Sequence, residues 1–270
     1  MKTPRVYKTD GIILRHRNLG EADKVLTIYT PRLGKLEAVA KGVRRPTSRL
    51  AGHVEVLAHA SLLLAHGRNL DVVTQAQEVE SSRPLWEDLE RLGRAAYAAE
   101  LVDRCTPDRQ EHEAVYRLLL ETLRRLRERD DLDLVLRYFE VQLLSLLGYR
   151  PHLDACVACG GPLQAGANAY SPAAGGAVCP ACAAREAAAA PLSLNGLKVL
   201  RLFQRRPFPE AARVRLTPEL GRELERHLRS SIRFILERDV RAAAFLDRLR
   251  RGQEPLPAAA ALPGRGAADV

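Results

Sequence analysis

The sequence predicts an α+β protein: a five-stranded antiparallel β-barrel over residues 1–82, then an α-helical domain over 83–251 carrying a four-cysteine module. Three observations predict it. Short β-branched and apolar runs, punctuated by Gly, Pro and Asn, fill the first part of the chain. Past Ser81-Ser82-Arg83-Pro84 the apolar spacing lengthens to that of a helix. Two Cys-x2-Cys pairs, Cys156/Cys159 and Cys179/Cys182, then interrupt the helical pattern in an excursion spanning about 149–186.

The strands come in order. Tyr7 to Arg17 holds the run Ile12-Ile13-Leu14 before a turn at Asn18-Leu19-Gly20. Lys24 to Thr30 is β-branched and aromatic, closed by Pro31 and Gly34. Lys35 to Lys41 alternates Leu36, Ala38 and Ala40 with Lys35, Glu37 and Lys41. After the loop GVRRPTSRLAGH come Val54 to Leu64 and Leu70 to Val79. Five strands at this density suit an OB-type barrel, which binds oligonucleotides across one open face; an SH3-like barrel would give the same pattern.

The helices follow. Leu85, Leu89, Leu92, Ala96, Ala99 and Val102 share one helical face behind Ser82 and Pro84. Thr106-Pro107-Asp108 opens a second helix, and Asp130 or Asp131 a third over Leu132 to Leu147, apolar around most of its circumference and ended by Gly148. Ser193 caps a helix from Leu194 to Phe203. Thr217-Pro218-Glu219 opens a long helix that is expected to bend near Asp239 and continue through Leu249. The tail, 252–270, is Ala, Pro and Gly without periodicity and is expected to be disordered.

A tetrahedral zinc ion takes four thiolates at about 2.3 Å, and two residues between cysteines let one turn present both sulfurs to one metal. Gly160, Gly161 and Pro162 follow the first pair; Gly175 and Gly176 precede the second. The expectation is one structural Zn2+ held by Cys156, Cys159, Cys179 and Cys182. The alternatives are two disulfides or unligated cysteines. They are weaker because the N-terminus shows no secretory run and a fifth cysteine, Cys105, is left over. No apolar stretch reaches the length of a membrane span, so the protein is expected in the cytoplasm, with no membrane partner.

The chain carries a net charge of +9. That excess points to a polyanion, nucleic acid before an acidic membrane surface. The charge is concentrated in one place: Lys35, Lys41, Arg44, Arg45 and Arg49 lie in or beside the third strand and the loop that leaves it. Arg44 and Arg45 are adjacent and cannot both pack inward, and guanidinium groups bind phosphate bidentately. The functional reading is a site that tracks a DNA or RNA backbone; the bland reading is a solvated loop. Aromatic residues make up only 5%, so recognition is expected to be electrostatic rather than by base stacking.

Catalytic patterns fail. There is no phosphate-cradling Gly-x4-Gly-Lys-Ser/Thr run and no Gly-x-Ser-x-Gly elbow. His112-Glu113 lacks its second histidine. His53-Val54-Glu55 matches half of a zinc deaminase signature, but neither Cys156 nor Cys179 follows a proline. A four-thiolate metal has no open position for water. Cys105 suits a buried apolar role.

Several stretches resemble the RecO family of bacterial recombination mediators. They are Thr9 to Leu14 (TDGIIL), Gly20 to Leu26 (GEADKVL), Gly34 to Leu50 (GKLEAVAKGVRRPTSRL) and Leu147 to Gly160 (LGYRPHLDACVACG). The resemblance implies an N-terminal OB-fold, a helical bundle and a zinc module. It implies binding to single- and double-stranded DNA, strand annealing, and loading of the RecA recombinase, on the nucleoid and without enzymatic turnover. The partners it implies are RecR and the acidic C-terminal tail of single-stranded DNA-binding protein. By position, Lys35, Lys41, Arg44, Arg45 and Arg49 would meet DNA phosphates. A zinc-dependent nucleic-acid-modifying enzyme and a basic scaffold for an acidic protein are the alternatives.

Overall fold

The computed structural model describes residues 5–237 and 240–251. The tail 252–270, with its expected disorder, lies outside the described residues. The protein is mixed α+β, with β1 Val6–Leu19, β2 Asp23–Thr30, β3 Gly34–Ala40, β4 His59–Ala65 and β5 Asp71–Glu80 at its N-terminal end. The chain then forms α1 Arg83–Trp86, α2 Leu89–Cys105, α3 Glu113–Glu128 and α4 Leu132–Leu146. Three short strands follow: β6 Asn168–Ser171, β7 Gly176–Val178 and β8 Ala190–Leu192, with α5 Pro180–Ala183 among them. The remaining helices are α6 Leu194–Arg205, α7 Phe208–Ala211, α8 Pro218–Leu236 and α9 Arg241–Arg250. By contacts the chain forms two compact units, residues 1–129 with 240 onward, and Asp130–Asp239.

In the first unit β1 to β5 close a barrel in the order β1-β2-β3-β5-β4. All pairings are antiparallel except β3 with β5, where Ala38 faces Asp71 and Val39 faces Val72. This is the strand order of an OB-fold, and it excludes the SH3-like alternative. β3 shows why its sequence makes a strand: its residues alternate buried and half-buried, with Leu36, Ala38 and Ala40 inward. The barrel core comprises Ile13, Leu26, Ile28, Leu36, Val54, Leu62, Leu64 and Val73, among others. Gly11 on β1 leaves room for Ile28, whose methyl would sit 2.5 Å from an added Cβ.

The strand expected over Val54 to Leu64 is a strand only from His59. Val54 to Ala58 has the apolar content of one, but it follows a 3₁₀ turn at Ala51–His53 and reaches Leu57 with φ +71°. Leu57 N–H donates to the Ile13 carbonyl, and the Ala58 carbonyl accepts from Ile13 N–H. Val54, Val56, Leu57 and Ala58 are buried, so their apolar character plugs the barrel rather than extending β4. His53 Nδ1 accepts from Glu78 N–H, which gives this imidazole a structural role.

The helices of the first unit depart from expectation at their starts. The first is two helices, because Asp88 accepts from the Glu90 and Arg91 N–H groups and restarts the chain as α2. Thr106-Pro107-Asp108 opens no helix. Residues 106–112 instead run along β3, where Arg109 N–H donates to the Lys35 carbonyl at 2.7 Å and the Gln110 backbone closes over Gly34. Helix α3 is fastened to the end of β5 by Glu80, which accepts from Arg124 and Arg127. Helix α9 returns to α2: buried Glu100 accepts from the Arg241 and Ala242 N–H groups at 2.9 and 2.7 Å. Gly93 lets α9 approach, since an added Cβ would lie 2.7 Å from Leu246. The helical run expected to bend near Asp239 divides instead into two helices. Helix α8 stops at Leu236, Glu237 takes a left-handed conformation, and α9 packs in the first unit.

In the second unit α4, α6 and α8 pack together. Helix α4 buries most of its length, including Arg137 and Glu140, which pair with each other at 3.2 Å. Gly148 ends it at φ +86°, and Tyr149 N–H donates back to the Leu144 carbonyl at 2.8 Å. Ser193 and Thr217 cap α6 and α8 as their sequences indicate. Strands β7-β6-β8 form a small sheet tied to α8 by Tyr170 with Ser231 (2.7 Å) and by His227 donating to the Pro191 carbonyl (3.1 Å).

Glu80 offers a test of the first unit. Arg124 foremost, then Arg127, holds its carboxyl down to about 2 against the opposing effect of burial. A depressed carboxylate contributes stability above its unfolded pKa, and that contribution is lost as pH falls through the folded one. Glu80→Gln is expected to lower unfolding free energy by about 1–2 kcal/mol at neutral pH, discounted for screening of half-exposed Arg124. Urea titrations should show the two proteins converging as pH falls from about 4.5 to about 2.

Candidate functional site

Two sites emerge, one in each unit. The first is the connection from β3 to β4. Gly42 leaves β3 at φ +64°, where a side chain would be strained, and its N–H donates to Asp23 Oδ1 at 2.7 Å. Arg44 N–H donates to the Ala22 carbonyl at 2.9 Å, and Arg44 Nη1 to the Gly20 carbonyl at 3.2 Å. The β1–β2 turn thus braces the loop. Successive turns at Arg45 N–H to Gly42 and Ser48 N–H to Arg45 keep it compact, and buried Val43 anchors it in the barrel core.

This frame leaves Lys41, Arg44, Arg45 and Arg49 exposed together, with Pro46 and Thr47 between them. None of the four forms an ion pair among the described residues. Their charge is therefore uncompensated: Lys41, Arg45 and Arg49 are free to meet an anion, and Arg44, with Nη1 on the Gly20 carbonyl, keeps its other N–H groups for one.

Lys35 does not join them. Its ammonium pairs with Asp103 (3.4 Å) and Asp108 (3.3 Å), and its side chain is only 12% exposed. Asp103 also accepts from Arg15 Nε at 2.8 Å. A lysine on the alternating outer face of a strand reads as solvent-facing in sequence, but here that face is covered by the end of α2 and the 106–112 segment. The barrel's two tyrosines present no stacking surface: Tyr29 is fully buried, and Tyr7 donates to buried Asp71 at 2.6 Å.

The second site is the cysteine cluster. The Sγ atoms of Cys156, Cys159, Cys179 and Cys182 all lie within 4.8 Å of one another, with Cys159 and Cys179 at 3.9 Å. Sulfurs on a tetrahedron at 2.3 Å from a metal stand about 3.8 Å apart, so the donor set fits a single thiolate-bound ion. Each pair sits on a tight turn. Gly160 N–H donates to the Cys156 carbonyl with φ +72°, and Cys182 N–H and Ala183 N–H donate to the Cys179 carbonyl. Burial raises the Cys156 thiol, but N–H groups of Cys179, Cys159 and Ala158 outweigh it and bring the pKa to about 6. Cys105 is apart from this chemistry: burial pushes its thiol up to about 11, so it is protonated at neutral pH.

Comparison with known families decides the rest. The model of the recombination protein O N-terminal domain matches residues 1–82, and that of its C-terminal domain matches residues 86–244. The chain belongs to the RecO family. It is 47% identical to the DNA repair protein RecO of Roseiflexus sp. over 92% of this chain and 87% of that one. It is 43% identical to that of Symbiobacterium thermophilum, covering 91% and 98%, and 39% identical to that of Dehalococcoides mccartyi, covering 93% and 98%. RecO proteins are named for recombination and repair, and none of these names is that of an enzyme. No helix among the described residues is long and apolar enough to cross a membrane.

Sequence reasoning missed the bracing role of Asp23 and of the β1–β2 turn. A carboxylate at the start of one strand, facing a glycine just past the end of another, carries no pattern until the strands are paired. It also left Tyr149 outside any site, although a ring placed directly after a helix-ending glycine has no place on the helix's buried face.

Proposed function

We propose that this RecO-family chain is a DNA-binding recombination mediator that acts without turnover. The observation that carries the reading is the cluster of Lys41, Arg44, Arg45 and Arg49, exposed without ionic partners and braced by the β1–β2 turn of an OB barrel. Phosphates of single- or double-stranded DNA replace the counterions of these side chains, and release of counterions from the nucleic acid drives binding. Annealing follows from the same chemistry. Two phosphate backbones repel each other, cations between them screen that repulsion, and base pairing supplies the free energy. In this reading the protein works in the cytoplasm on the nucleoid. RecR, the acidic tail of single-stranded DNA-binding protein and, through them, RecA are its partners. Lys35 supports the barrel and takes no part in phosphate contact.

The cysteine site is read as a structural Zn2+ centre. Four thiolates leave no coordination position for substrate, which separates this reading from a zinc-dependent enzyme. Its contribution is to fold a segment whose three short strands enclose little core of their own.

Two tests follow from these sites. Arg44→Ala with Arg45→Ala is expected to weaken oligonucleotide binding and make the plot of log affinity against log salt shallower by roughly 1.4 on single strands. Lys35→Ala should leave that slope where it is. An unchanged slope in the double variant would sink the phosphate assignment. Metal analysis should find one zinc per chain, retained at neutral pH and released on acidification as protons compete for the thiolates. Cys156→Ser is expected to lower thermal stability before it alters oligonucleotide affinity; the reverse order would contradict a structural role.

A further inference from the structure

Two aromatic rings stand exposed among the described residues, Tyr149 and Phe234. Tyr149 is 53% exposed, whereas every other tyrosine is buried or half-buried. Its frame is what distinguishes it. Residues 149–153 are held at nearly every step. Tyr149 N–H donates to Leu144, and the Pro151 carbonyl accepts from Gln204 Nε2 at 2.8 Å. His152 N–H donates to the Gly175 carbonyl at 2.9 Å, and the His152 carbonyl accepts from Ala177 N–H at 2.7 Å. The Leu153 carbonyl accepts from Arg201 Nε and Nη2 at 3.0 and 2.6 Å.

Along this strip Pro151 and Leu153 are buried, while Tyr149, Arg150 and His152 are exposed. Neither Arg150 nor His152 has a side-chain partner among the described residues. Close by, Arg201 and Arg205 share the single carboxylate of Asp154, so the surroundings are cationic. An exposed ring on a rigid backbone costs little entropy to engage. A protein-docking hot spot would be ringed by apolar neighbours, but no other large apolar side chain between Leu89 and Leu194 is exposed. One exposed ring followed by a guanidinium and an imidazole, both donors to phosphate oxygens, matches instead the repeat of a nucleic-acid strand, in which base faces alternate with phosphates.

We propose that Tyr149, with Arg150 and His152, is a stacking site for an unpaired base of single-stranded nucleic acid, the Arg150 guanidinium and an N–H of the His152 ring donating to the adjoining phosphates. This rests on the nucleic-acid reading above and deepens it. The arginine loop reads backbone charge, which single and double strands share. Tyr149 reads a base face, which a duplex hides.

The test compares the full-length protein with Tyr149→Ala, Tyr149→Phe and the Arg44/Arg45 double variant, on an oligothymidylate and a duplex of equal length. Tyr149→Ala is expected to weaken single-strand binding roughly tenfold, the size of one lost stacked base, with duplex affinity and salt slope unchanged. Tyr149→Phe should bind as wild type. An oligonucleotide carrying 2-aminopurine should lose fluorescence on binding wild type but not Tyr149→Ala. Equal weakening on both substrates, or none on either, overturns the stacking site; the latter would assign the ring to a protein partner. If the Arg44/Arg45 variant also leaves both affinities intact, the nucleic-acid reading itself fails. If that variant weakens both while Tyr149→Ala weakens neither, only the stacking site falls.

Discussion

The barrel's one parallel pairing governs the layout of the first unit. Because β5 lies between β3 and β4, the chain cannot turn directly from β3 into its next strand. It must leave at Ala40 and cross residues 41–58 before re-entering at His59. That crossing cannot be short, and a long loop on a small barrel must be anchored or it will not hold a shape. The chain anchors it at both ends: Asp23 and the Ala22 carbonyl hold its start, and buried Val54, Val56 and Leu57 hold its end. What remains free between the anchors is polar and basic. The exposed arginines are thus a consequence of topology as well as composition.

The same economy of buried polar groups appears elsewhere. Glu100 takes the free N–H groups at the start of α9 and pairs with Arg104, so a carboxylate that is 1% exposed has three donors. Asp71 at the opposite end of the barrel accepts from Tyr7 and Arg109 and lies 3.3 Å from His66 Nδ1. Asp103 joins Arg15 and Lys35. These networks fasten helices and loops to the barrel. They account for cations such as Lys35 and Arg109, whose charge is already matched and is not offered to an anion.

Much of this was legible in the sequence, for identifiable reasons. Local signals were read correctly where one residue decides the geometry: Gly148 at the end of α4, Ser193 and Thr217 as caps, and the Cys-x2-Cys turns that bring four sulfurs together. Alternation in Gly34–Ala40 gave β3, because one face of that strand is buried. The failures have a common cause. Val54–Ala58 looked like a strand because apolar content does not distinguish a plug from a ladder. Thr106-Pro107-Asp108 looked like a cap, but its backbone lies along β3. Lys35 looked like a ligand for phosphate until Asp103, far along the chain, was placed beside it. The docking of α9 on Gly93 and Glu100 also depends on distant partners that no local pattern reveals.

In the proposed function an unpaired basic loop on an OB barrel brings nucleic-acid strands together without chemical turnover. Its most direct measurement is the annealing rate of two complementary oligonucleotides with purified protein and no nucleotide present. The wild-type protein should accelerate annealing in low salt and lose that effect as salt rises. Removing the charges of Lys41, Arg44, Arg45 and Arg49 together should abolish it while the protein remains folded. Acceleration that survives the loss of those four cations would contradict the account.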